Sequence, residues 1–353
     1  MKALVTGATG IVGSNLVRAL LSASYEVRVL VRGNSDLRSL SNLAVERVEG
    51  DVLKPDTLTA AVGGCSVVFH AAAIFSYWGH SPDRQKDLAV RGTKNILEAA
   101  HRAGLKRAIV TSSSVVLGSR ATKVILDETS KFDEPDPSAY TLSKVDQEKA
   151  AFEHGANLGM EVVAVCPTLA IGPYDYRLSP SNAYIVNYLN DPFRSTFIGG
   201  CNFVSARDVA LGHIQAAERG QAGCRYVVGS ENLLWQDVHA LISELTGTFG
   251  PSVTLNHTAS YLAALAVEAS ARLAGIRPTV TRDEAKMSGR FYWYTHDRIA
   301  ALGYSPMPVR LALCEAIAWL LGRGYIADSV IEKLDLSPEV RRAGARLAGE
   351  CSP

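Results

Sequence analysis

The chain opens Met1-Lys2-Ala3-Leu4-Val5-Thr6-Gly7-Ala8-Thr9-Gly10-Ile11-Val12-Gly13. A short apolar run passes directly into a turn with glycine at every third position, and residues with helical spacing follow over 15–21. Glycine permits the tight turn and lets backbone approach a pyrophosphate, whose charge the N-terminus of the following helix favours. The spacing is GxxGxxG, and alone it also describes an ordinary strand-to-helix turn. Its place after the first strand of an alternating pattern selects the dinucleotide reading. Gly7, Thr9, Gly10, Ile11 and Val12 are the candidate contacts.

That alternation runs through the first half of the chain. Strand candidates lie at 3–6, 26–31, 45–48, 67–70, 108–111 and 162–165, with amphipathic helical segments at 15–21, 90–103 and 140–158 between them. Short apolar runs alternating with helices predict an α/β fold, a doubly wound parallel sheet flanked by helices. The polar stretch 127–138, rich in Asp, Glu and Pro, reads as a surface loop leading into a helix. After Pro167 the rhythm loosens. A helix at 208–218 and a strand at 226–228 look as if they return to the first sheet. The expected division is a dinucleotide-binding domain over 1–171, rejoined by 203–230. A smaller C-terminal substrate-binding lobe would span 172–202 and 231–326, and a helical tail with a loose end 327–353.

Composition removes several function classes. The 353 residues carry 36 Lys and Arg against 35 Asp and Glu, a net charge of +1 without any block of like charge, so no nucleic-acid footprint is expected. The six cysteines include no CxxC pair and the eight histidines lack ligand spacing, which argues for reduced thiols and no metal. The first strand begins at residue 2 or 3, leaving no room for a signal peptide, and a cytoplasmic location is expected. Apolar runs such as 162–166 and 261–267 fall well short of the roughly 20 residues that span a bilayer. The stretch 258–273, small and apolar on several sides, is expected to pack in the second lobe, with a peripheral membrane surface as the alternative.

The end of the second strand decides which dinucleotide is favoured. An Asp or Glu there, about 20 residues past the glycines, grips the ribose 2′-hydroxyl of NAD. This chain instead reads Val31-Arg32-Gly33-Asn34-Ser35-Asp36. Arg32 can pair with a 2′-phosphate and stack on adenine, with Arg38 close enough to help. NADP is therefore favoured, with NAD as the alternative because Asp36 could still reach a ribose. Asp51, just past the third strand, is either an acceptor for the adenine amino group or a turn residue.

Chemistry is carried by Tyr140-Thr141-Leu142-Ser143-Lys144 at the start of a predicted helix. Positions i and i+4 share a helix face, and a neighbouring ammonium is expected to lower the phenol from its usual ~10. Such a tyrosine serves as general acid or base for a carbonyl/alcohol pair. Of thirteen tyrosines, Tyr140 alone has a lysine four residues later. The preceding strand ends in Thr111-Ser112-Ser113-Ser114, delivering hydroxyls at the carboxyl edge of the sheet, where one could polarise a substrate oxygen.

The ordered set is specific in combination: TGATGIVG from Thr6, GDV at 50–52, HAAA at 70–73, TSSS at 111–114, YTLSK at 140–144 and PTLAIGP at 167–173. With FVSARDVA at 203–210, RYVVGSEN at 225–232 and RFYWYTHDRIAALGY at 290–304, it resembles the extended short-chain dehydrogenase/reductases, the NAD-dependent epimerase/dehydratase family, over about residues 1–326. It is most similar to the dihydroflavonol 4-reductase-like, 3β-hydroxysteroid dehydrogenase-like and hopanoid-associated sugar-epimerase-like groups. The resemblance implies a Rossmann-type fold, an NAD(P) cofactor and a Ser–Tyr–Lys triad. Tyr140 is then the acid/base, and Lys144 holds the nicotinamide ribose and the tyrosine pKa. Counting back from Gly118 makes Ser113 the triad serine, with Ser114 the fallback. The resemblance also implies that Val52 and the backbone of Ala71, Ala72 and Ala73 line the cofactor, that Pro167, Thr168 and Leu169 bracket the nicotinamide, and that the chain forms a homodimer through helices 90–103 and 140–158. Two positions depart from the pattern. Ala89 stands where relatives often carry Asn, and Cys166 stands where nucleotide-sugar enzymes commonly place Asn.

The expected function is NADPH-dependent reduction of the ketone or aldehyde of a mainly apolar small molecule, or the reverse oxidation. The alternatives are a nucleotide-sugar epimerase or dehydratase with tightly bound NAD, and a non-catalytic dinucleotide sensor. Phe75, Tyr77, Trp78, Tyr174 and Tyr176, with Ser114, are the candidate substrate residues, and ordinary packing is the other reading of the aromatics. Against an apolar substrate stand Arg177, Arg194, Arg207, Arg219 and Arg225, two of which could converge on a diphosphate.

Overall fold

The computed structural model describes residues 1–73, 78, 79 and 81–351. The first half of the chain supplies six strands, β1 (Lys2–Thr6), β2 (Glu26–Val31), β3 (Val45–Glu49), β4 (Val67–His70), β5 (Arg107–Thr111) and β6 (Glu161–Pro167). Between them run the helices α1 (Ile11–Ser22), α2 (Leu58–Val62), α3 (Pro82–Arg102) and α4 (Ala139–Leu158). A late strand, β10 (Arg225–Val228), completes a seven-stranded parallel sheet in the order β3-β2-β1-β4-β5-β6-β10. The order reverses between β1 and β4, so their carboxyl ends part and leave the crevice where doubly wound sheets bind ligands.

Both faces of this sheet are buried, which is why its strands read as continuous apolar runs. Successive residues point to opposite faces. Val5, Val29, Phe69, Ile109 and Val163 pack beneath α1 and α6 (Ala206–Arg219). Leu4, Leu30, Val68, Ala108 and Val162 pack against α2, α3 and α4. The strands match the sequence expectation to within two residues at each end. Helix α3 does not: it starts at Pro82, eight residues before its apolar periodicity becomes visible. Ser81 caps it by accepting from the Arg84 amide, Pro82 fills the first turn, and most of residues 82–87 are exposed and polar.

The second lobe is a small sheet, β11 (Glu231–Leu234), β9 (Gly200–Ser205) and β13 (Phe291–Tyr292), with β7 (Leu169–Ile171) also paired to β9, plus the pair β8 (Ser195–Phe197) and β12 (Val253–Leu255). Around it lie α5 (Pro180–Asn190), α7 (Trp235–Thr246), α8 (His257–Ala274), α9 (Arg282–Ala285) and α11 (Val309–Leu321), while α10 (Asp297–Ala300) packs back on α6 and β10 of the first sheet, where Ile299 is buried. Their shared core is rich in aromatic side chains, among them Phe203, Trp235, Tyr292 and Trp319. Helix α8 buries Ala264, Glu268 and Ala271 while Leu262 and Leu273 stay exposed. No described helix is long and apolar enough to cross a membrane.

The described part of the tail packs on the second lobe. After α12 (Asp328–Ile331), helix α13 (Pro338–Cys351) seats Val340, Ala343 and Leu347, at i, i+3 and i+7, in the second-lobe core beside α11. Arg346 bonds Glu315 of α11, and the Glu350 carboxylate accepts from Arg207 and from the Tyr174 hydroxyl.

Candidate active site

The glycine turn shows which of its residues packing requires. Gly7 has φ +70°, and a Cβ there would lie 2.5 Å from the Ala71 carbonyl carbon. At Gly13 a Cβ would lie 2.2 Å from the Gly7 carbonyl oxygen. Gly10 differs: its Cβ would meet only that same oxygen, at 3.6 Å. The outer glycines therefore let strand and helix close on each other, and the middle one keeps an open surface where α1 begins. Gly10 is also the N-cap of α1 and brings no side chain to the free amides of the first turn. This cradle fits a dinucleotide pyrophosphate.

Along the crevice, Val52 is held by Asn95 Nδ2, which donates to its carbonyl at 2.8 Å, and Asp51 Oδ1 accepts from the Leu53 amide at 2.9 Å, closing its own turn. Arg32, Gly33, Asn34, Gly50, Asp51 and Lys54 help to line an open cleft of about 500 Å³ at the ends of β2 and β3. Arg38 grips Asp36 with two nitrogens at 2.6–3.0 Å and holds its carboxyl down to about 2, with a smaller contribution from Arg177. On the other side of β1, Ala71 and Ala72 donate their amides to the Thr6 carbonyl and hydroxyl, at 3.2 Å each. At the end of β6, the buried Thr168 Oγ1 has no hydrogen-bond partner among the described residues, and it stands beside Pro167 and the half-buried Leu169.

Tyr140 and Lys144 lie on the first turns of α4, which Ser138 caps by accepting from the Thr141 amide at 3.1 Å. The Tyr140 phenol faces the Ser113 hydroxyl; burial pushes it up to about 12, and Ser113 partly opposes that. The phenol is thus raised in the protein alone, against the expectation of a lowered one, because burial outweighs the contribution of Ser113 and no lowering comes from Lys144. Ser114 faces Tyr294 of the second lobe, whose hydroxyl donates to the Gly118 carbonyl at 2.8 Å, and Ser112 faces the buried Cys166 thiol. Of the three hydroxyls, Ser113 is thus the one directed at Tyr140.

Lys144 is 3% exposed, and burial brings its ammonium down to about 8, against weaker opposition from Cys166 and Glu148. It donates to the Thr111 carbonyl at 3.0 Å and to Gln147 Oε1 at 2.9 Å. Gln147 Nε2 in turn donates to Thr93 Oγ1 at 3.0 Å, His70 Nε2 lies 3.1 Å from the same oxygen, and His70 Nδ1 lies 2.8 Å from Thr6 Oγ1. Burial drops His70 to about 3, so its ring is neutral. A single buried polar chain therefore runs from the lysine to the end of β1, through Gln147, Thr93 and His70. Sequence reasoning missed it. Gln147 at i+3 from Lys144 was the available signal.

Of the described aromatic candidates, Tyr174 and Tyr176 both pack on Trp319, and Trp78 lies against α8. Phe75 and Tyr77 lie outside the described residues. Trp78 sits with the Arg272 guanidinium of α8 5.1 Å from its ring centroid. Tyr174 is 1% exposed, lies under Arg18 at 3.6 Å, and bonds Glu350, so it is a core residue joining α1 to α13. Tyr176 packs edge-on to Trp319 at 5.0 Å and has Arg38 5.4 Å from its centroid, on the β2 side of the crevice. The expectation that these two tyrosines rim a substrate pocket is corrected accordingly. The arginines that might have gripped a diphosphate are engaged elsewhere. Arg194 donates to the carbonyls of Tyr188 and Asp191, and Arg207 pairs with Glu315 and Glu350. Arg219 donates to the Leu302 carbonyl, Arg225 pairs with Glu148 at 2.8 Å, and Arg177 reaches Thr9 of the glycine turn.

The pattern of the NAD dependent epimerase/dehydratase family matches residues 3–229. The chain belongs to that family. It is 34% identical over 328 residues to a protein of Synechocystis sp. described as a putative dihydroflavonol 4-reductase, covering 91% of this chain and 95% of that one. It is 31% identical over 346 residues to sterol demethylase protein B of Methylococcus capsulatus, covering 92% of this chain and all of that one. Among solved structures, gox2253 superposes with a TM-score of 0.81 at 35% identity, over 92% of this chain and 99% of that one. The chain is an NAD(P)-dependent enzyme of the oxidoreductase type in the extended short-chain dehydrogenase/reductase group, with reductases among its relatives.

Proposed function

We propose that this family member is an NADPH-dependent reductase that acts on the ketone or aldehyde of a mainly apolar small molecule, or runs the reverse oxidation. The observation that carries the reading is the buried pair of Tyr140 and Ser113, one helical turn from Lys144 and at the carboxyl edge of the sheet. When bound, the cofactor supplies or accepts the hydride at the substrate's carbonyl carbon. Ser113 donates a hydrogen bond to the carbonyl oxygen and polarises it. Tyr140, protonated well above neutral pH, gives its proton to the same oxygen as negative charge develops there, so that carbonyl, hydride and proton sum to the alcohol. Lys144 would face the phenolate left behind and hold the nicotinamide ribose, and the Thr168 hydroxyl is a free polar group that would stand at the nicotinamide end. Gly7 to Val12 receive the pyrophosphate.

One observation favours an apolar acceptor over a nucleotide sugar. Arg194, Arg207, Arg219 and Arg225 are committed to carbonyls or carboxylates, which leaves no pair of them converging on a diphosphate. The relatives' names, a dihydroflavonol reductase and a sterol-processing protein, point the same way. A thermal-shift and turnover screen with NADPH tests it, with aromatic, steroidal and long-chain ketones set beside UDP- and GDP-sugars. Stabilisation by a nucleotide sugar alone, with exchange at a sugar carbon and no net NADPH consumption, would replace this reading with an epimerase.

A further inference from the structure

The loop between β7 and α5, residues 172–179, is fastened by side chains from several other elements. Five consecutive carbonyls each receive a side-chain donor from elsewhere. Asn182 donates to Gly172, and Asn15 and Ser14 of α1 donate to Pro173 and Tyr174, at 2.9–3.1 Å. Trp319 donates to Asp175 and Tyr325 to Tyr176, at 3.3 and 3.1 Å. The Asp175 carboxylate, 2% exposed, accepts from the Ser179 amide and hydroxyl at 2.7 Å and from Asn182 at 3.1 Å. Tyr174 and Leu178, neither of them glycine, sit at φ +65° and +50°. Backbone strain of this kind persists where the surroundings over-determine it, and it gathers at ligand clamps.

What the loop presents is one exposed cation. Arg177 lies between the two left-handed residues, and its Nη2 donates to Thr9 Oγ1 in the glycine turn at 3.0 Å. Two of the loop's anchors, Ser14 and Asn15, belong to the helix whose N-terminus forms the phosphate cradle. Arg177 is therefore positioned from α1 itself. Its charge also reaches Asp36 past the end of β2, where the ribose 2′ position of a bound dinucleotide falls. The amides of Gly10, Ile11 and Val12 serve the pyrophosphate, and Arg177 stands to the β2 side of them.

We propose that Arg177 is a specificity-determining residue for the cofactor: it clamps the adenosine 2′-phosphate from the second lobe, together with Arg32. The proposal rests on the NADPH reading above and names the groups that would enforce it. Asp36 would repel a 2′-phosphate on its own. Its two-nitrogen pair with Arg38 neutralises it, and Arg177 and Arg32 then supply the surplus positive charge. A guanidinium over this site offers charge-assisted, two-pronged bonds that a ribose hydroxyl cannot match.

The test is equilibrium binding, by titration calorimetry, of NADPH, NADH, 2′,5′-ADP and ADP to the full chain, R177A and R177K. R177A should weaken NADPH and 2′,5′-ADP by about 10- to 100-fold and change NADH and ADP by less than about threefold. R177K, which keeps the charge and loses the fork, should recover part of the loss. Equal weakening of all four ligands would overturn the proposal in favour of a pyrophosphate or structural role. A wild-type protein that prefers NADPH and 2′,5′-ADP, with R177A preserving that preference, would overturn the clamp and leave the NADPH reading standing. A wild-type protein that binds 2′,5′-ADP no better than ADP would overturn both.

Discussion

Lys144 carries a charge that the folded protein without cofactor disfavours, and the cost has a definite pH signature. Burial holds the ammonium at about 8, whereas in the unfolded chain it titrates near ~10.5. Below about pH 8 the lysine is charged in both states, and the folded state bears the whole penalty. Between about 8 and 10.5 the unfolded chain binds more protons than the folded one, so stability attributable to this group rises with pH. At 1.36 kcal/mol per pKa unit the full rise is on the order of 3 kcal/mol. Lys144→Met removes the titration while filling similar space. It also strips a donor from the Thr111 carbonyl and from Gln147, and that loss does not depend on pH. Urea unfolding of both proteins without cofactor, at intervals from pH 7 to 10, isolates the group, because every other titration is common to the pair. The wild type should gain on the variant across the upper half of that range. Parallel curves would refute a desolvated Lys144. A wild type that loses ground as pH rises would mean that an anion, Glu148 being the nearest candidate, dominates its environment.

Three further outcomes follow from the same geometry. Tyr140→Phe should lower kcat by about two to four orders of magnitude while leaving the NADPH dissociation constant nearly unchanged, because it removes only the proton donor; single-turnover and binding measurements check this. Gln147→Leu deprives the buried ammonium of one acceptor and should move the limb of the kcat–pH profile that Lys144 governs to lower pH, whereas Gln147→Glu should move it to higher pH; unchanged profiles in both would remove Gln147 from the machinery. Leu347→Ala in α13 should cost about 2–4 kcal/mol in urea unfolding, against near zero for Leu273→Ala, a residue 91% exposed on α8.

What was legible in the sequence is what local physics dictates. The strands show as apolar runs because both faces of the parallel sheet are covered, and the glycine turn shows because Gly7 and Gly13 have no room for a Cβ. Tyr140 and Lys144 show because they are one helical turn apart. The first eight residues of α3 stayed hidden from periodicity, although Ser81-Pro82 is an N-cap signal in plain sight. The docking of α13 was likewise available in the spacing of Val340, Ala343 and Leu347. Other features had no local signal at all. Tyr174 has the local sequence of a loop aromatic, and it is a core residue because Arg18, Arg207 and Glu350 reach it from other parts of the chain.

The arginines of the later half of the chain make the same point for specificity. In sequence they are a reserve of positive charge that could serve a diphosphate, and nothing within a few residues of any of them says otherwise. In the fold, Arg207 meets Glu315 and Glu350, and Arg225 meets Glu148, all more than 70 positions away. A charge paired in this way has already exchanged its hydration for a carboxylate, so recruiting it to a ligand would leave that carboxylate uncompensated. For Glu148, 4% exposed beside Lys144 and Cys166, the cost of losing its partner would fall directly on the lysine proposed to serve the reaction. The arginine whose only described side-chain contact is a neutral hydroxyl, Arg177 on Thr9, gives up little by turning to a phosphate. On the proposed reading, cofactor discrimination and substrate class are separated by which cations the fold has already neutralised: Arg207 and Arg225 are paired with carboxylates, and Arg177 over the glycine turn is the one left for a phosphate.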